Sequence, residues 1–142
     1  LIAGPQDGGM HALEEPTLVK LPNVEYLGPL PYNEVPNFLQ TLDVCLIPHR
    51  DTPYSRSMSP LKLYQYLASG RPIVSTNVAI LEEFKQYIQV ADNYEQFVKN
   101  IKLTLETDTI ELSKTRIERA KEETWDKRVR DIFDVVHQKL IS

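Results

Sequence analysis

The stretch Asp43 to Gly70, DVCLIPHRDTPYSRSMSPLKLYQYLASG, decides how this chain folds. Val44 to Ile47 is a short unbroken apolar run that ends at Pro48. Apolar residues in succession, rather than in alternation, mark a strand covered on both faces of a parallel sheet. A long polar loop follows, His49 to Met58, carrying Arg50, Arg56, Tyr54, Ser55 and Ser57. Ser59 then reads as an N-cap, Pro60 as the first helical position and Gly70 as the stop, which predicts a helix over Ser59 to Ser69. In a strand–helix–strand unit such a helix starts at the carboxyl edge of the sheet, where the ligands of these sheets bind.

A helix N-terminus offers unpaired amides and the positive end of the helix dipole, which together attract an anion. The dipole alone contributes only ~0.3–1 kcal/mol, or ~2 kcal/mol when partly buried. Lys62 stands in the first turn, where the dipole disfavours a cation, and an anionic ligand would account for it. Arg50 or Arg56 can close from the loop with charge-assisted hydrogen bonds. Lys62 and Gln65, three residues apart, share one helix face, and Leu63, Tyr64 and Leu67 supply the buried one. Against this stands the plainer reading, that most capped helices bind nothing and Gln65 is an ordinary surface side chain.

Working outward, further strand candidates are Leu1 to Ala3, Val24 to Leu27, Ile73 to Ser75 and Tyr87 to Val90. Helical spacing separates them. Val35, Phe38, Leu39 and Leu42 lie on one face with Pro36 in the first turn. A long helix is predicted over Asn93 to Glu106 with Phe97, Ile101 and Leu105 inward, and short helices near Met10 to Glu15 and Ile80 to Lys85. The tail from Thr109 holds two more. Leu112, Ile117 and Ala120 mark the first, and Val129, Ile132, Phe133, Val136 and Leu140 the second, with Trp125 as a packing anchor at the corner. Alternating strands and helices predict an α/β, Rossmann-like fold with a parallel sheet of about five strands flanked by helices.

Composition excludes several classes. The 142 residues are 42% hydrophobic and 25% charged, an ordinary globular balance. A net charge of -4 argues against a general nucleic-acid surface. One cysteine, Cys45, rules out a disulfide framework within the chain and fits a reducing compartment. His11, His49 and His137 have no metal-ligand spacing, and no glycine-rich nucleotide loop is present. His49 stands apart from the other two because it sits at a strand exit. Leu1 reads as an entry in mid-strand, so the chain is expected to be a fragment of a longer one, with no signal peptide.

The order of NVEYLGPLPYNEVPNFLQTLDVCLIPHR and SPLKLYQYLASGRPIVST resembles the C-terminal half of a GT-B-fold retaining glycosyltransferase of the group 1 family. The resemblance covers nearly the whole chain, residues 1–142, as one nucleotide-sugar-binding domain that includes the tail helices 109–142. It implies a donor diphosphate site at Ser57, Met58, Ser59, Pro60, Leu61 and Lys62, joined by Arg50 and Arg56. It implies a ribose contact at Gln65 and a base contact at Gly28, Leu30 and Tyr32. The family's two glutamates, spaced eight apart, fall here at Ser57 and Gln65, so both acids are missing. A glutamine can still hydrogen-bond a ribose hydroxyl, whereas a serine cannot supply a carboxylate's charge.

The implied function is hexosyl transfer from a nucleotide diphosphate sugar to a glycan or lipid-linked acceptor. The acceptor is engaged by an N-terminal half that also carries the unassigned catalytic residues. No metal or other cofactor is expected. No nucleic acid partner is expected, and membrane contact is expected to run through the other half. The implied setting is cytoplasmic, with the full-length protein peripheral at the inner membrane face. A non-catalytic α/β binding or protein-interaction domain with a degenerate nucleotide site is the competing reading.

Overall fold

The computed structural model describes residues 1–4, 18–58, 61–77 and 81–141. The expected helix at Met10 to Glu15, the Ser59–Pro60 cap and Ile80 lie outside these residues. The chain forms two compact units, Leu1–Leu42 and Asp43–Ser142.

In the first unit the two expected strands meet only as an isolated parallel bridge between Ile2 and Tyr26. Ile2 N donates to Glu25 O at 2.9 Å, and Leu27 N donates to Ile2 O at 2.9 Å. Gly4 N donates to Gly28 O, also at 2.9 Å, and the Tyr26 hydroxyl donates to Gly4 O. Gly28 turns the chain with φ +73, a left-handed conformation that a Cβ would strain. A 3-10 turn at Tyr32–Glu34 leads into α1, Val35–Gln40, with Pro36 in its first turn and Leu39 buried.

The second unit holds the sheet. β1 (Cys45–Ile47), β2 (Ile73–Thr76) and β3 (Gln89–Ala91) pair in parallel in the order β1-β2-β3. Among the described residues the sheet therefore has three strands and not five. The two N-terminal candidates pair with each other over too few residues to count as strands.

The pleat assigns the faces. Cys45 and Ile47 are in register with Ile73 and Ser75, and all four are buried. Alternation puts Leu46 and Val74 on the opposite face. There Val74, Ala91 and Phe97 form a cluster with Val44 and Ile101. Phe97 belongs to α4, Tyr94–Thr107, which the Asn93 side chain caps by accepting from Gln96 N. The buried residues of α4 are Phe97, Asn100 and Thr104, while Leu105 is 56% exposed, contrary to the expected inward set. The reason is angular: positions i, i+3 and i+7 face the sheet, which turns position i+8 away from it.

α3 spans Leu61–Ser69 and buries Leu63 and Leu67. Gly70 ends it at φ +71, and Gly70 N donates to Leu67 O at 2.9 Å. α5, Ile110–Lys121, packs against α3, and its Arg116 is 96% buried by virtue of a relative exposure of 4%. Arg116 Nε donates to Gly70 O at 3.0 Å, and its Nη2 donates to both Asp108 carboxylate oxygens at 2.7 and 2.8 Å. The carbonyl just after α3 is thus met by a buried cation that carries its own counter-charge.

α6, Trp125–Ile141, follows. Its Arg128 guanidinium lies 5.2 Å from the Tyr64 ring centroid and donates to the Tyr64 hydroxyl and to Glu123. Arg119 of α5 lies 4.7 Å from the Phe84 centroid and pairs with Glu83, Glu122 and Glu123. Trp125, expected to anchor the corner, is 79% exposed. Glu123 holds that corner instead, bridging Arg119 and Arg128, so the approach to α3 is made by charged and aromatic groups. Ile80 to Lys85 was expected as a short helix, and the described part is a 3-10 turn at Glu82–Phe84 with Phe84 buried.

Two substitutions test this packing. A Cβ on Gly70 would stand 2.5 Å from Ser113 Oγ and 2.9 Å from Ile117 Cδ1, in a backbone conformation that L side chains avoid. Gly70→Ala is expected to cost about 2 kcal/mol or more, from left-handed strain plus overpacking. Arg116→Ala removes one partner of a buried pair and is expected to cost about 3 kcal/mol. Urea unfolding midpoints read both, and an unchanged midpoint in either variant would refute the corresponding contact.

Candidate functional site at the carboxyl edge of the sheet

The segment after β1 is more ordered than its polar composition predicts. It was expected as an open loop, yet Pro53–Ser57 forms a short helix, α2. The cause is local. Thr52 Oγ1 accepts from Ser55 N at 3.0 Å, Thr52 N donates to Ser55 Oγ at 2.9 Å, and Pro53 takes the first turn. This reciprocal cap satisfies two backbone donors at once. Ser55 is buried, and its hydroxyl reaches Arg50 O at 2.6 Å, tying the start of the segment to the helix.

The expected site residues fall out as follows. Arg56 is engaged with Asp51: Nε and Nη2 donate to the two carboxylate oxygens at 2.6 and 2.7 Å. Each raises the charged character of the other, Arg56 shifting up and Asp51 down through that hydrogen bond. Both are solvent-exposed, so salt screens the pair. To reach an anion Arg56 must release Asp51. Arg50 is exposed and contributes its carbonyl to Ser55. Ser57 ends α2 with its hydroxyl donating to Tyr54 O at 2.8 Å, and Met58 leaves the helix in extended backbone. Ser59 and Pro60 lie outside the described residues. Leu61 and Lys62 open α3, both exposed, and Gln65 one turn later is partly buried.

Lys62 makes no ion pair among the described residues, and its charge acts on His49. Burial, and then Lys62, hold the His49 imidazole below its ordinary value. The position of His49 is set by its backbone. Thr76 Oγ1, at the end of β2, donates to His49 O at 2.8 Å and to Ile47 O at 3.3 Å. These bonds hold the exits of β1 and β2 together at the carboxyl edge. This edge therefore carries the Lys62 ammonium in the first turn of α3 and the His49 backbone held at the exit of β1.

Gly28, Leu30 and Tyr32 belong to the first unit. Gly28 O is held by Gly4 N, Leu30 is partly buried and Tyr32 is 83% exposed at the start of its 3-10 turn. Cys45 lies within β1, where burial pushes its thiol up to about 11, so it behaves as a small apolar side chain and not as a nucleophile. Among the described residues no group of three histidines, cysteines or carboxylates is placed to hold a metal. No described helix is long and apolar enough to cross a membrane. A small polar recess lies at the other end of the sheet, around Ile73, Gln89, Thr104, Asp108 and Arg116. It is framed by the amino ends of β2 and β3 and by the Arg116 pair that locks α3, and so belongs to the structural support.

Sequence reasoning located Lys62 and Gln65 on one edge of α3 but missed α2 and the Arg56–Asp51 pair. The Thr52-Pro53 start with Ser55 at the third helical position was a readable capping signal.

Comparison with known proteins bears on this edge. The sequence model of the family described as Glycosyl transferases group 1 matches residues 1–107. A Bacillus subtilis (strain 168) protein named "Putative teichuronic acid biosynthesis glycosyltransferase TuaH" is 41% identical over 61 residues. That segment is 43% of this chain and 15% of the relative, so the match spans a small part of the relative's length. No solved structure matches the chain. A parallel α/β sheet with a helix opening beside Lys62, under a family match that takes in more than half of the residues, leads to one assignment: this chain belongs to the group 1 glycosyltransferases.

Proposed function

We propose that residues 1–142 act as the donor-binding, Rossmann-like domain of a GT-B glycosyltransferase, transferring a hexosyl group from a nucleotide diphosphate sugar. The observation that carries this reading is Lys62, a cation in the first turn of α3 at the carboxyl edge of the sheet, without a carboxylate partner among the described residues. The α3 amides and Lys62 bind the diphosphate. Gln65, on the same face, hydrogen-bonds the ribose. Arg50 and Arg56 supply further charge, Arg56 after exchanging Asp51 for a phosphate.

The chemistry then follows from charge. Breaking the bond between the anomeric carbon and the diphosphate oxygen leaves negative charge on the diphosphate. Fixed amides and an ammonium aimed at that oxygen stabilise the departing group without reorganising at the moment of reaction. On this account no metal is required, and the new bond to the acceptor forms with retention at the anomeric centre. The acceptor, a glycan or lipid-linked saccharide, is bound by another part of the longer protein, as are the catalytic groups. The name of the Bacillus relative, with its teichuronic acid, supports a polysaccharide product. A cytoplasmic site of action, with peripheral contact at the inner membrane face, completes the reading.

The substitutions at the two glutamate positions favour one other reading. With Ser57 and Gln65 there, the domain is a non-catalytic binding or protein-interaction module with a degenerate nucleotide site. Release of free nucleotide diphosphate from a nucleotide sugar by the full-length protein, in the presence of acceptor, separates the two.

Isothermal titration of the protein with UDP, GDP and ADP checks the site. One of the three is expected to bind more tightly than millimolar, and Lys62→Ala to weaken it about tenfold, as loss of one charge-assisted hydrogen bond predicts. Millimolar or absent binding by all three removes the site. Gln65→Ala is expected to cost about three- to tenfold, the range of a neutral hydrogen bond, and to cost nothing against the 2′,3′-dideoxy nucleotide. Equal losses with both nucleotides would refute the ribose contact.

A further inference from the structure

Residues 108–142 lie beyond the part of the chain that the family model matches, and the donor reading gives their side chains no role. Yet they reach α3. The Arg128 guanidinium of α6 lies 5.2 Å from the Tyr64 ring centroid, and its Nη2 donates to the Tyr64 hydroxyl at 3.1 Å. The Tyr64 ring meets Phe84 edge to face, with centroids 5.8 Å apart and planes at 81°. Arg119 of α5 lies over the Phe84 ring, 4.7 Å from its centroid. Glu123 closes the circuit, pairing with Arg119 Nη1 at 2.6 Å and accepting from Arg128 Nη2 at 2.9 Å. Five side chains from α3, the 3-10 turn at Glu82–Phe84, α5, the α5–α6 connection and α6 thus form one closed set of contacts.

We propose that Arg128 is a positioning residue of the donor site: through Tyr64 it sets how α3 is turned about its own axis, and hence where Lys62 and Gln65 point. The inference rests on the donor-domain reading and adds to it a residue from α6. α3 has nine residues, too few to stay helical on propensity alone, so its seating comes from its neighbours. Leu63 and Leu67 form a narrow buried stripe, about which a short helix can roll. Arg116 holds the carbonyl at Gly70, at the end remote from Lys62. Successive helical residues stand about 100° apart, so Tyr64 lies on the shoulder of the leucine stripe. A side chain gripped on that shoulder stops the roll, and Lys62 and Gln65 turn with the helix that carries it.

The role is separable from packing. α6 adds no buried residue to the core among the described ones, and the Arg128 side chain is 46% exposed. Its removal leaves Leu63, Leu67 and the Arg116 contact with Gly70 in place. An exposed cation over an aromatic ring contributes modestly, which sets the scale of the effect on affinity at about two- to fivefold.

The test is titration calorimetry with whichever of UDP, GDP and ADP binds the wild-type protein. Arg128→Ala is expected to weaken that nucleotide about two- to fivefold while the urea midpoint stays close to wild type. Arg128→Lys, which keeps a cation over the Tyr64 ring, is expected to restore most of the affinity. In a Lys62→Ala background the further loss from Arg128→Ala is expected to shrink below about twofold, because the group that Arg128 helps to aim is gone. Unchanged affinity in Arg128→Ala, no rescue by Arg128→Lys, or fully additive losses with Lys62→Ala overturns the inference and leaves the donor site standing. A loss of affinity that only tracks a loss of stability across the variants marks a structural role and overturns it as well. Failure of all three nucleotides to bind the wild type overturns both readings.

Discussion

A buried guanidinium at the far end of α3 is the constraint on which the rest of the structure depends. Arg116 is held on one side by both oxygens of Asp108 and gives its remaining reach to the Gly70 carbonyl. That carbonyl lies just past the negative end of the α3 dipole, so the contact is favourable in sign as well as in geometry. Gly70 has no side chain because Ser113 and Ile117 of α5 occupy the space. α3 is thereby clamped at its C-terminus against α5, Leu63 and Leu67 are buried, and Leu61 and Lys62 at its other end are exposed.

Charge at that end is distributed unevenly. Three basic side chains stand on or beside the segment after β1, yet they are not equivalent. Arg56 is already satisfied by Asp51, in water, and exchanges partners at little cost. Lys62, in the first turn of α3, makes no ion pair among the described residues. An unpaired cation can meet an anion without first breaking an internal pair, which Arg56 must do.

The helices from α4 onward show how far sequence patterning can mislead. Phe97, Ile101 and Leu105 are apolar at regular spacing, but α4 turns Asn100 and Thr104 inward and Leu105 outward. Trp125, the largest apolar side chain of the chain, lies at the surface, while Arg116 is buried. Hydrophobicity ranks which residues prefer the interior. It does not say which neighbours will cover them, and a buried arginine with its carboxylate at i−8 has no periodic signature.

What the sequence determined by itself was local and directional. The apolar run ending at Pro48, the stop at Gly70, and the strand–helix alternation are set by backbone propensity and by the one-handed crossover of parallel strands. They were enough to place Lys62 and Gln65 on one edge of α3 and to name the fold class. What only the tertiary structure decided was the pairing of groups distant along the chain. Arg116 finding Gly70 across 46 residues, Thr76 gripping the His49 carbonyl, and a sheet of three strands among the described residues in place of a wider one each depend on which surfaces meet in space. Contacts of that kind are fixed by packing and hydrogen-bond satisfaction in three dimensions, and no spacing in one dimension encodes them.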